Sequence, residues 1–239
     1  MSREYVVPSK KQPIFKVVKG IFKLFYKCEV FSEIEVIPEK AIVIANHSAK
    51  SGPMALEINY PNFNVKWGAH QMLGNYKSRF LYLRDVLYMQ KLGKGKFTAT
   101  IKSLFEALFS KMLYKGMKFL PTYPDARLSK TIKDSMKVLD ANMSIMVFPE
   151  NSNSGYFDEL IEIFGGFITL SEMYYKKTGE DLPIVPVYYH KKSKKIVVGQ
   201  ITYVQELKKQ GLDRDGMCEF YKNQINSLYH KYFSTKKEN

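Results

Sequence analysis

Short apolar runs rich in β-branched residues alternate along the chain with longer segments whose apolar residues recur at helical spacing. The short runs predict strands near 34–37, at 41–45, 64–69, 116–121, 144–149 and 183–189, and one or two more within 194–204. The longer segments predict helices at 53–58, 98–113, 128–139, 164–176 and 216–233. Because strands separated by helices build parallel sheets covered on both faces, we expect a single α/β domain with a mostly parallel central sheet flanked by helices.

Residues 14–27, with the sequence IFKVVKGIFKLFYK, place basic and apolar residues on separate sides of a predicted N-terminal helix. Lysines at steps of three or four residues line one face; they are Lys16, Lys19, Lys23 and Lys27. Two interpretations fit equally: a helix at the membrane interface with lysines reaching acidic headgroups, or a helix docked on its own domain with its lysines in water. We therefore divide the chain into a basic amphipathic segment, 1–30, which is a candidate membrane-interface helix, and an α/β domain, 31–239.

Two further helices have informative local patterns. The predicted helix at 98–113 is strongly amphipathic, because large apolar residues recur along it at steps of three and four; they are Ile101, Leu104, Phe105, Leu108, Phe109 and Met112. In the shorter helix at 53–58, Pro53 suits the first helical position, and Ser51 or Gly52 is expected to cap it.

The chain is strongly basic, with 37 Lys and Arg against 23 Asp and Glu and a formal net charge of +14. Such a surface attracts nucleic acid, anionic lipid or phosphorylated small molecules, and charge alone does not choose among them. A nucleic-acid-binding protein is the least favoured class, because the sequence has neither an aromatic-basic RNA signature nor a recognition-helix motif.

Several sequence features bear on location and cofactors. Cys28 and Cys218 are far apart and fit two reduced thiols in a cytoplasmic protein better than a disulfide framework. The N-terminus lacks an apolar core followed by a small-residue cleavage site, so no signal peptide is expected. The four histidines lack metal-ligand spacing, so no metal site is expected. We predict a cytoplasmic protein associated peripherally with the inner face of the membrane, in contact with its anionic surface.

Polar residues suited to catalysis follow two of the predicted strands. His47 comes just after the strand at 41–45, and Glu150 comes just after the strand at 144–149. Sites in parallel sheets lie at the carboxyl ends of strands, so these two side chains are expected at one edge of the sheet. An imidazole titrates near neutral pH, which makes His47 the candidate general base.

Three blocks in this order, NHSAKSG, VFPENSNSGYFDEL and LPIVPVYYH, resemble the motifs of the glycerolipid acyltransferase family, which includes lysophosphatidic acid and glycerol-3-phosphate acyltransferases. The resemblance extends over about residues 36–204. In the family's first block an Asn-His pair is followed, after four residues, by an Asp; Asn46 and His47 match, and Gly52 stands at the Asp position. The family's Phe-Pro-Glu and apolar-Pro blocks match 148–150 and 184–187.

The resemblance implies an O-acyltransferase that moves a fatty acyl group from a thioester to a hydroxyl of a lysophospholipid or related glycerolipid. Acyl-CoA or acyl carrier protein would be the co-substrate, and no other cofactor is implied. In the family the His is the general base and the Asp orients it. Because Gly52 replaces that Asp, His47 needs another orienting group, and Ser48, Ser51, a backbone carbonyl or Glu57 are the alternatives.

The resemblance also assigns an acceptor site, where this chain departs from the family. Of the family sequence Gly-Thr-Arg-Ser after Phe-Pro-Glu, the final Ser is kept and Ser152 replaces Thr conservatively, but the Gly and the Arg are lost. Arg127 comes several residues later than the second arginine of the family. Arginine binds phosphate through a bidentate fork that Ser and Asn cannot reproduce. We therefore expect a different lysolipid or a neutral polyol-type lipid as acceptor, contacted by Asn46, Glu150, Asn151, Ser152, Asn153 and Arg127.

The alternative function is a catalytically weak or inactive protein of the same fold that binds lipid or acyl carrier. In the serine-protease triad, spoiling the orienting Asp lowers kcat by about 10⁴, because the imidazole adopts the wrong tautomer. A loss on that scale would leave His47 a poor base.

Overall fold

The strand that carries His47 at its carboxyl end is buried along its whole length. In the computed structural model, which describes residues 5–10 and 13–234, this strand is β2, Ile42–Ala45. The described residues form eight strands of one sheet: β1 (Glu29–Ser32), β2, β3 (Asn64–Ala69), β4 (Phe119–Thr122), β5 (Ser144–Val147), β6 (Pro183–His190), β7 (Lys195–Val198) and β8 (Thr202–Tyr203). The chain is thus a single α/β domain, as the alternation of elements predicts.

The sheet is mostly parallel, which confirms the prediction. Its strand order is β1-β7-β6-β2-β5-β3-β4, and β8 pairs with β6. The five strands from β6 to β4 in that order are mutually parallel, whereas β7 and β8 pair with β6 in antiparallel fashion. The carboxyl ends of β2, β5 and β6 therefore meet at one edge of the sheet.

Helices cover both faces of the sheet. Alternate side chains of β2 divide between them: Ile42 and Ile44 pack with Phe167 in one core cluster, and Val43 packs with Leu56 in another. The helices in the described residues are α1 (Pro13–Tyr26), α2 (Ser51–Asn59), α3 (Tyr76–Leu81), α4 (Lys96–Gly116), α5 (Leu128–Asp140), α6 (Gly166–Thr178), α7 (Val204–Lys209) and α8 (Arg214–Tyr232). A π-helix, Tyr82–Lys91, continues α3 directly. None of these helices is long and apolar enough to cross a membrane.

The strand predicted near 34–37 is wrong. The chain bends over 33–36, and the strand that pairs with β7 lies earlier, at Glu29–Ser32. Ile34 and Ile37 pack against the core without pairing, so their apolar spacing reflects burial and not a strand. The helix formed by α3 and the π-helix was not predicted. Helix α2 begins at Ser51, two residues earlier than predicted, and no side chain caps it.

The predicted N-terminal helix is present as α1 and is docked on the domain through one of its faces. Phe15 is buried, and Phe22 and Tyr26 pack in the same cluster with Met54. A different face is exposed and apolar; it carries Val17, Ile21, Leu24 and Phe25. The predicted division at residue 30 falls inside β1, and residues 1–4, 11–12 and 235–239 of the two predicted segments lie outside the described residues.

Candidate active site

His47 lies at the carboxyl end of β2, on a loop with an unusual backbone. Ser48 and Ala49 both have positive φ angles, 44° and 55°, in the left-handed region that residues with a Cβ rarely adopt. Strained residues of this kind cluster at functional sites. The Ser51 hydroxyl donates to the Ser48 carbonyl (2.7 Å), which helps to close the loop.

Gly52, at the position of the family's Asp, leaves no room for a side chain. A Cβ at this position would lie 2.1 Å from the His47 carbonyl oxygen and 3.2 Å from that of Asn46. Both contacts are with backbone, which cannot swing aside as a side chain can. The orienting carboxylate is therefore excluded here by the close approach of α2 to the His47 loop.

The His47 ring contacts two aromatic rings, with centroids 5.0 Å from Phe148 and 5.2 Å from Tyr156. Its Nδ1 atom is buried and has no hydrogen-bond partner among the described residues. Burial, and next the positive charge of Lys91, lower the pKa of His47 to about 4; the nearby carbonyls of Ala49 and His47 itself act in the opposite direction. The ring is therefore neutral at physiological pH.

Glu150 contacts the same segment through the backbone. Its Oε2 accepts the His47 N–H (3.1 Å), which ties the end of β5 to the end of β2. Burial raises the pKa of Glu150 to about 7, against the opposing effects of that N–H and of the charge on Lys91. Glu150 thus titrates near neutral pH, whereas His47 does not.

Lys91 completes the cluster and was not predicted from the sequence. It ends the π-helix, and its Nζ donates to Ser152 Oγ (2.7 Å) and lies 5.8 Å from the centre of the Tyr156 ring. Burial lowers the pKa of Lys91, and the Glu150 carboxylate opposes that shift. No motif surrounds Lys91 in the sequence, and only the fold brings it within reach of His47.

The predicted acceptor-site residues are only partly brought together. Ser152 is buried and joins the cluster through Lys91. Asn46 is buried with both polar atoms of its amide bonded to the backbone of Tyr189, so it ties β2 to β6. Asn151 donates to Glu162 (2.6 Å) and, through Oδ1, accepts the N–H of the exposed Asn153. Their predicted substrate contacts stay predictions.

Arg127 lies at the start of α5, apart from this cluster. Its guanidinium forms a bidentate ion pair with Asp125 and covers the ring of Tyr123, 4.5 Å from the ring centre. It does not line the cavity described below. Its predicted contact with the acceptor also stays a prediction.

Glu57, one of the alternatives for orienting His47, is engaged elsewhere. Its carboxylate accepts Lys66 Nζ (2.5 Å) and Lys19 Nζ (2.7 Å), and its side chain is nearly buried. The Lys66 side chain is fully buried. The pair joins α2 to β3, and Lys19 adds a contact from α1.

An apolar cavity of about 400 Å³ extends from His47 to the space between α1 and α4. Its wall includes His47, Lys91 and Tyr156. Elsewhere the wall is largely apolar and aromatic, and its residues include Phe22, Met54, Leu83, Phe105, Phe109 and Leu113. Phe105 and Phe109 are also 66% and 61% exposed, so the cavity opens along α4. Such a lining, mostly apolar with a few polar groups, suits a molecule with one hydrocarbon chain and one polar end.

No family model matches the sequence, and no curated protein matches it. The fold is similar to the crystal structure of the 1-acyl-sn-glycerophosphate (LPA) acyltransferase PlsC from Thermotoga maritima. The similarity covers 93% of this chain and 82% of that chain, with 14% sequence identity and a TM-score of 0.49. Membership of the glycerolipid acyltransferase family, inferred from the motifs, therefore stays a prediction.

Proposed function

We propose that this protein transfers a fatty acyl group from a thioester to a hydroxyl of a lysophospholipid or related glycerolipid, with His47 as general base. The observation that carries the proposal is the apolar cavity that joins His47 to the space between α1 and α4. It would hold a hydrocarbon chain and place either the polar end of the acceptor lipid or the thioester of the donor next to the imidazole. Acyl-CoA or acyl carrier protein would be the donor.

The proposed reaction requires His47 to accept one proton and then release it. The neutral imidazole takes the hydroxyl proton at Nε2 while the hydroxyl oxygen bonds to the thioester carbonyl carbon. The tetrahedral intermediate then expels the thiolate, which takes the proton back from the imidazolium. The products are an ester and a free thiol, and the base is restored.

Lys91 is the group best placed to influence this chemistry. Its ammonium is close enough to lower the pKa of His47, and it is held by Ser152 without an ion-pairing distance to any carboxylate in the described part of the chain. A positive charge at this place would stabilise the negative charge that develops on the thioester carbonyl oxygen. The same charge weakens His47 as a base, so Lys91 would favour the reaction at the carbonyl oxygen and oppose it at the imidazole.

The side chains that follow Glu150 in the sequence favour an acceptor recognised by its hydroxyls. Ser152 and Asn153 offer hydroxyl and amide groups, which pair with polyol oxygens. Arg127 is occupied by Asp125, so it supports no phosphate clamp in this conformation. A neutral polyol-type lipid or a different lysolipid is the proposed acceptor class.

Peripheral membrane association is part of the proposal. The exposed apolar face of α1 and its exposed lysines, Lys16 and Lys23, suit the surface of an anionic bilayer. The proposed site of action is the cytoplasmic side of the membrane, where acyl-CoA and acyl carrier protein are available.

One observation favours a second candidate, a lipid- or acyl-carrier-binding protein with little turnover. His47 Nδ1 has no acceptor among the described residues, so no hydrogen bond selects the tautomer that leaves Nε2 free. The ring is also a weak base, with a pKa of about 4. Neither feature would hinder binding of an acyl chain in the cavity.

Thiol release separates the two candidates. Purified protein is incubated with acyl-CoA or acyl carrier protein and a panel of lysolipids and monoacyl polyol lipids, with His47→Ala alongside. We expect acceptor-dependent release, reduced at least about 100-fold in His47→Ala, the lower end of general-base contributions. His230→Ala is the matched control, since His230 is exposed and bonds Glu159 far from the cavity. Release that His47→Ala retains would contradict the proposed base.

Saturable binding of acyl-CoA without thiol release would establish the second candidate. Lysophosphatidic acid as the best acceptor by a wide margin would contradict the proposed acceptor class alone. The two parts of the proposal can therefore fail separately.

A further inference from the structure

Helix α4 buries its small residues and exposes its large apolar residues, unlike an ordinary surface helix of a globular domain. Its buried face consists of small residues, Ala99, Ser103, Ala107 and Ser110. Its large apolar residues point outward and are exposed; they are Phe97, Ile101, Leu104, Phe105, Leu108, Phe109 and Met112. Surface helices normally bury their apolar side, so this face is built to contact something outside the domain.

The exposed face of α4 belongs to the same side of the molecule as that of α1. Phe15 of α1 packs so closely on Gly116 of α4 that a Cβ there would lie 2.2 Å from the Phe15 ring. Phe22 of α1 and Phe109 of α4 line the same cavity. The outward apolar residues of the two helices therefore flank the mouth of the cavity.

The charge of α4 narrows the choice of partner for this face. Helix α4 carries Lys96, Lys102, Lys111 and Lys115, and none of them forms an ion pair within the described residues. Glu106 is the one acidic residue in α1 and α4, and it is engaged by Lys50 and the Tyr88 hydroxyl. A second copy docked on this face would bring lysines against lysines. An anionic bilayer accepts both the apolar side chains and the cations, whose long stems let the amines reach the headgroups.

We propose that the outward face of α4 is a bilayer-contact surface, which lies on an anionic membrane together with α1 so that the cavity opens toward the lipid. This inference builds on the proposed function, because it supplies the route by which a lipid chain would enter the cavity. It goes beyond the proposed function in assigning the contact to the outward face of α4, of whose exposed large apolar residues only Phe105 and Phe109 also line the cavity.

The test is co-sedimentation with vesicles of equal parts phosphatidylcholine and phosphatidylglycerol. Leu108, 58% exposed and absent from the cavity wall, is replaced in Leu108→Glu. Met173→Glu is the matched control on α6, a helix that packs on the other face of the sheet, where Met173 is 40% exposed. We expect Leu108→Glu to weaken vesicle partitioning about tenfold or more and Met173→Glu to leave it unchanged. Partitioning of Leu108→Glu equal to that of the wild type would overturn the proposal.

A second measurement locates the contact in variants that still bind vesicles. Phe97→Trp and Met173→Trp are titrated with the same vesicles containing brominated phosphatidylcholine, with the signal of Trp67 common to both. We expect stronger quenching in Phe97→Trp, and equal quenching would overturn the proposal. A dimer of the lipid-free wild type that Leu108→Glu makes monomeric would instead assign the face to a second copy.

Failure of this inference and failure of the proposed function are distinguishable. If thiol release is absent but Leu108→Glu still loses vesicle binding, the bilayer surface stands and the acyltransferase proposal falls. If thiol release requires His47 but Leu108→Glu binds vesicles as well as the wild type, the acyltransferase proposal stands and the bilayer surface falls. Release from a short-chain, water-soluble acceptor without vesicles should be equal in Leu108→Glu and wild type.

Discussion

Gly52 determines how close α2 comes to the segment that carries His47. The position is the one at which a sequence comparison would suggest restoring an Asp to improve the base. The backbone argues otherwise, because even a Cβ would lie 2.1 Å from the His47 carbonyl oxygen. A side chain here could enter only if α2 or the strained loop at Ser48 and Ala49 moved.

We therefore predict that Gly52→Asp does not increase turnover and that both Gly52→Asp and Gly52→Ala destabilise the protein. Overpacking of this kind lowers the free energy of unfolding by about 1–3 kcal/mol. Urea unfolding followed by circular dichroism measures it. Gly20→Ala is the control, since nothing lies within 4 Å of a Cβ there, and it should be neutral or stabilising. An active, fully stable Gly52→Asp would show that the loop accepts an orienting carboxylate.

The residues of the site differ in how far the sequence could reveal them. His47 and Glu150 could be placed together because each lies just beyond the carboxyl end of a strand in a parallel sheet, and the structure brings them into contact. Lys91 could not, because it reaches the site from the end of a π-helix, whose wider repeat is not recognised by α-helical spacing. The unpartnered Nδ1 of His47 depends on side-chain placement, which no local pattern encodes.

At the scale of elements, periodicity located most helices and strands but not always the face they present. Strands β2 and β3 follow the pattern closely, because their residues are fully or largely buried. The apolar stripe of α4 predicted a helix correctly, yet a stripe does not say whether it meets the core or something outside. The bend at 33–36 shows the same limit, since Ile34 and Ile37 are half-buried against the core without pairing.

The ion pair of Glu57 with Lys66 links two elements in a way that the sequence did not indicate. Lys66 is fully buried on β3, and burial lowers its pKa while the Glu57 carboxylate on α2 opposes the shift. Lys66 also donates to Asn64 Oδ1 (2.8 Å). Without Glu57 the Lys66 ammonium would be left buried beside a neutral acceptor.

We predict that Glu57→Gln lowers the free energy of unfolding by about 3–5 kcal/mol, the usual effect of breaking a buried pair from one side. Asp140→Asn is the matched control, because it breaks an exposed pair with Lys177 and should change stability by about 1 kcal/mol or less. Denaturant unfolding of both variants at neutral pH gives the comparison. The double variant Glu57→Leu/Lys66→Met should recover most of the stability lost in Glu57→Gln. Equal losses in Glu57→Gln and Asp140→Asn would contradict the prediction.

At the scale of the whole molecule, the two faces of the sheet serve different purposes. Helices α5, α6 and α8 bury a continuous core on one face. On the other, α1 and α4 leave apolar residues exposed around a cavity that reaches His47. The net charge of +14 adds a long-range attraction to anionic surfaces, which salt weakens.

Glu150 links the site to the pH dependence of global stability. Its folded-state pKa of about 7 lies above its ordinary value of 4.5, so the folded protein holds this proton more tightly than the unfolded chain. The stabilising contribution is therefore fully present below pH 4.5 and is lost as the pH rises through 7. His47 has the opposite sign, because its pKa is lowered from 6.5 to about 4: its contribution is present above pH 6.5 and is lost as the pH falls through 4.

Replacing Glu150 by Gln keeps an acceptor for the His47 N–H and removes only the titrating group. We predict that the stability of the wild type relative to Glu150→Gln falls as the pH rises from about 4.5 to 7, by about 3 kcal/mol at most, since each pKa unit corresponds to about 1.4 kcal/mol. The contribution of His47 is common to both proteins and cancels in the difference. Urea unfolding of the two proteins at several pH values measures it. A difference that stays constant, or that changes in the opposite direction, would show that Glu150 is ionised in the folded protein and that its burial is offset by Lys91.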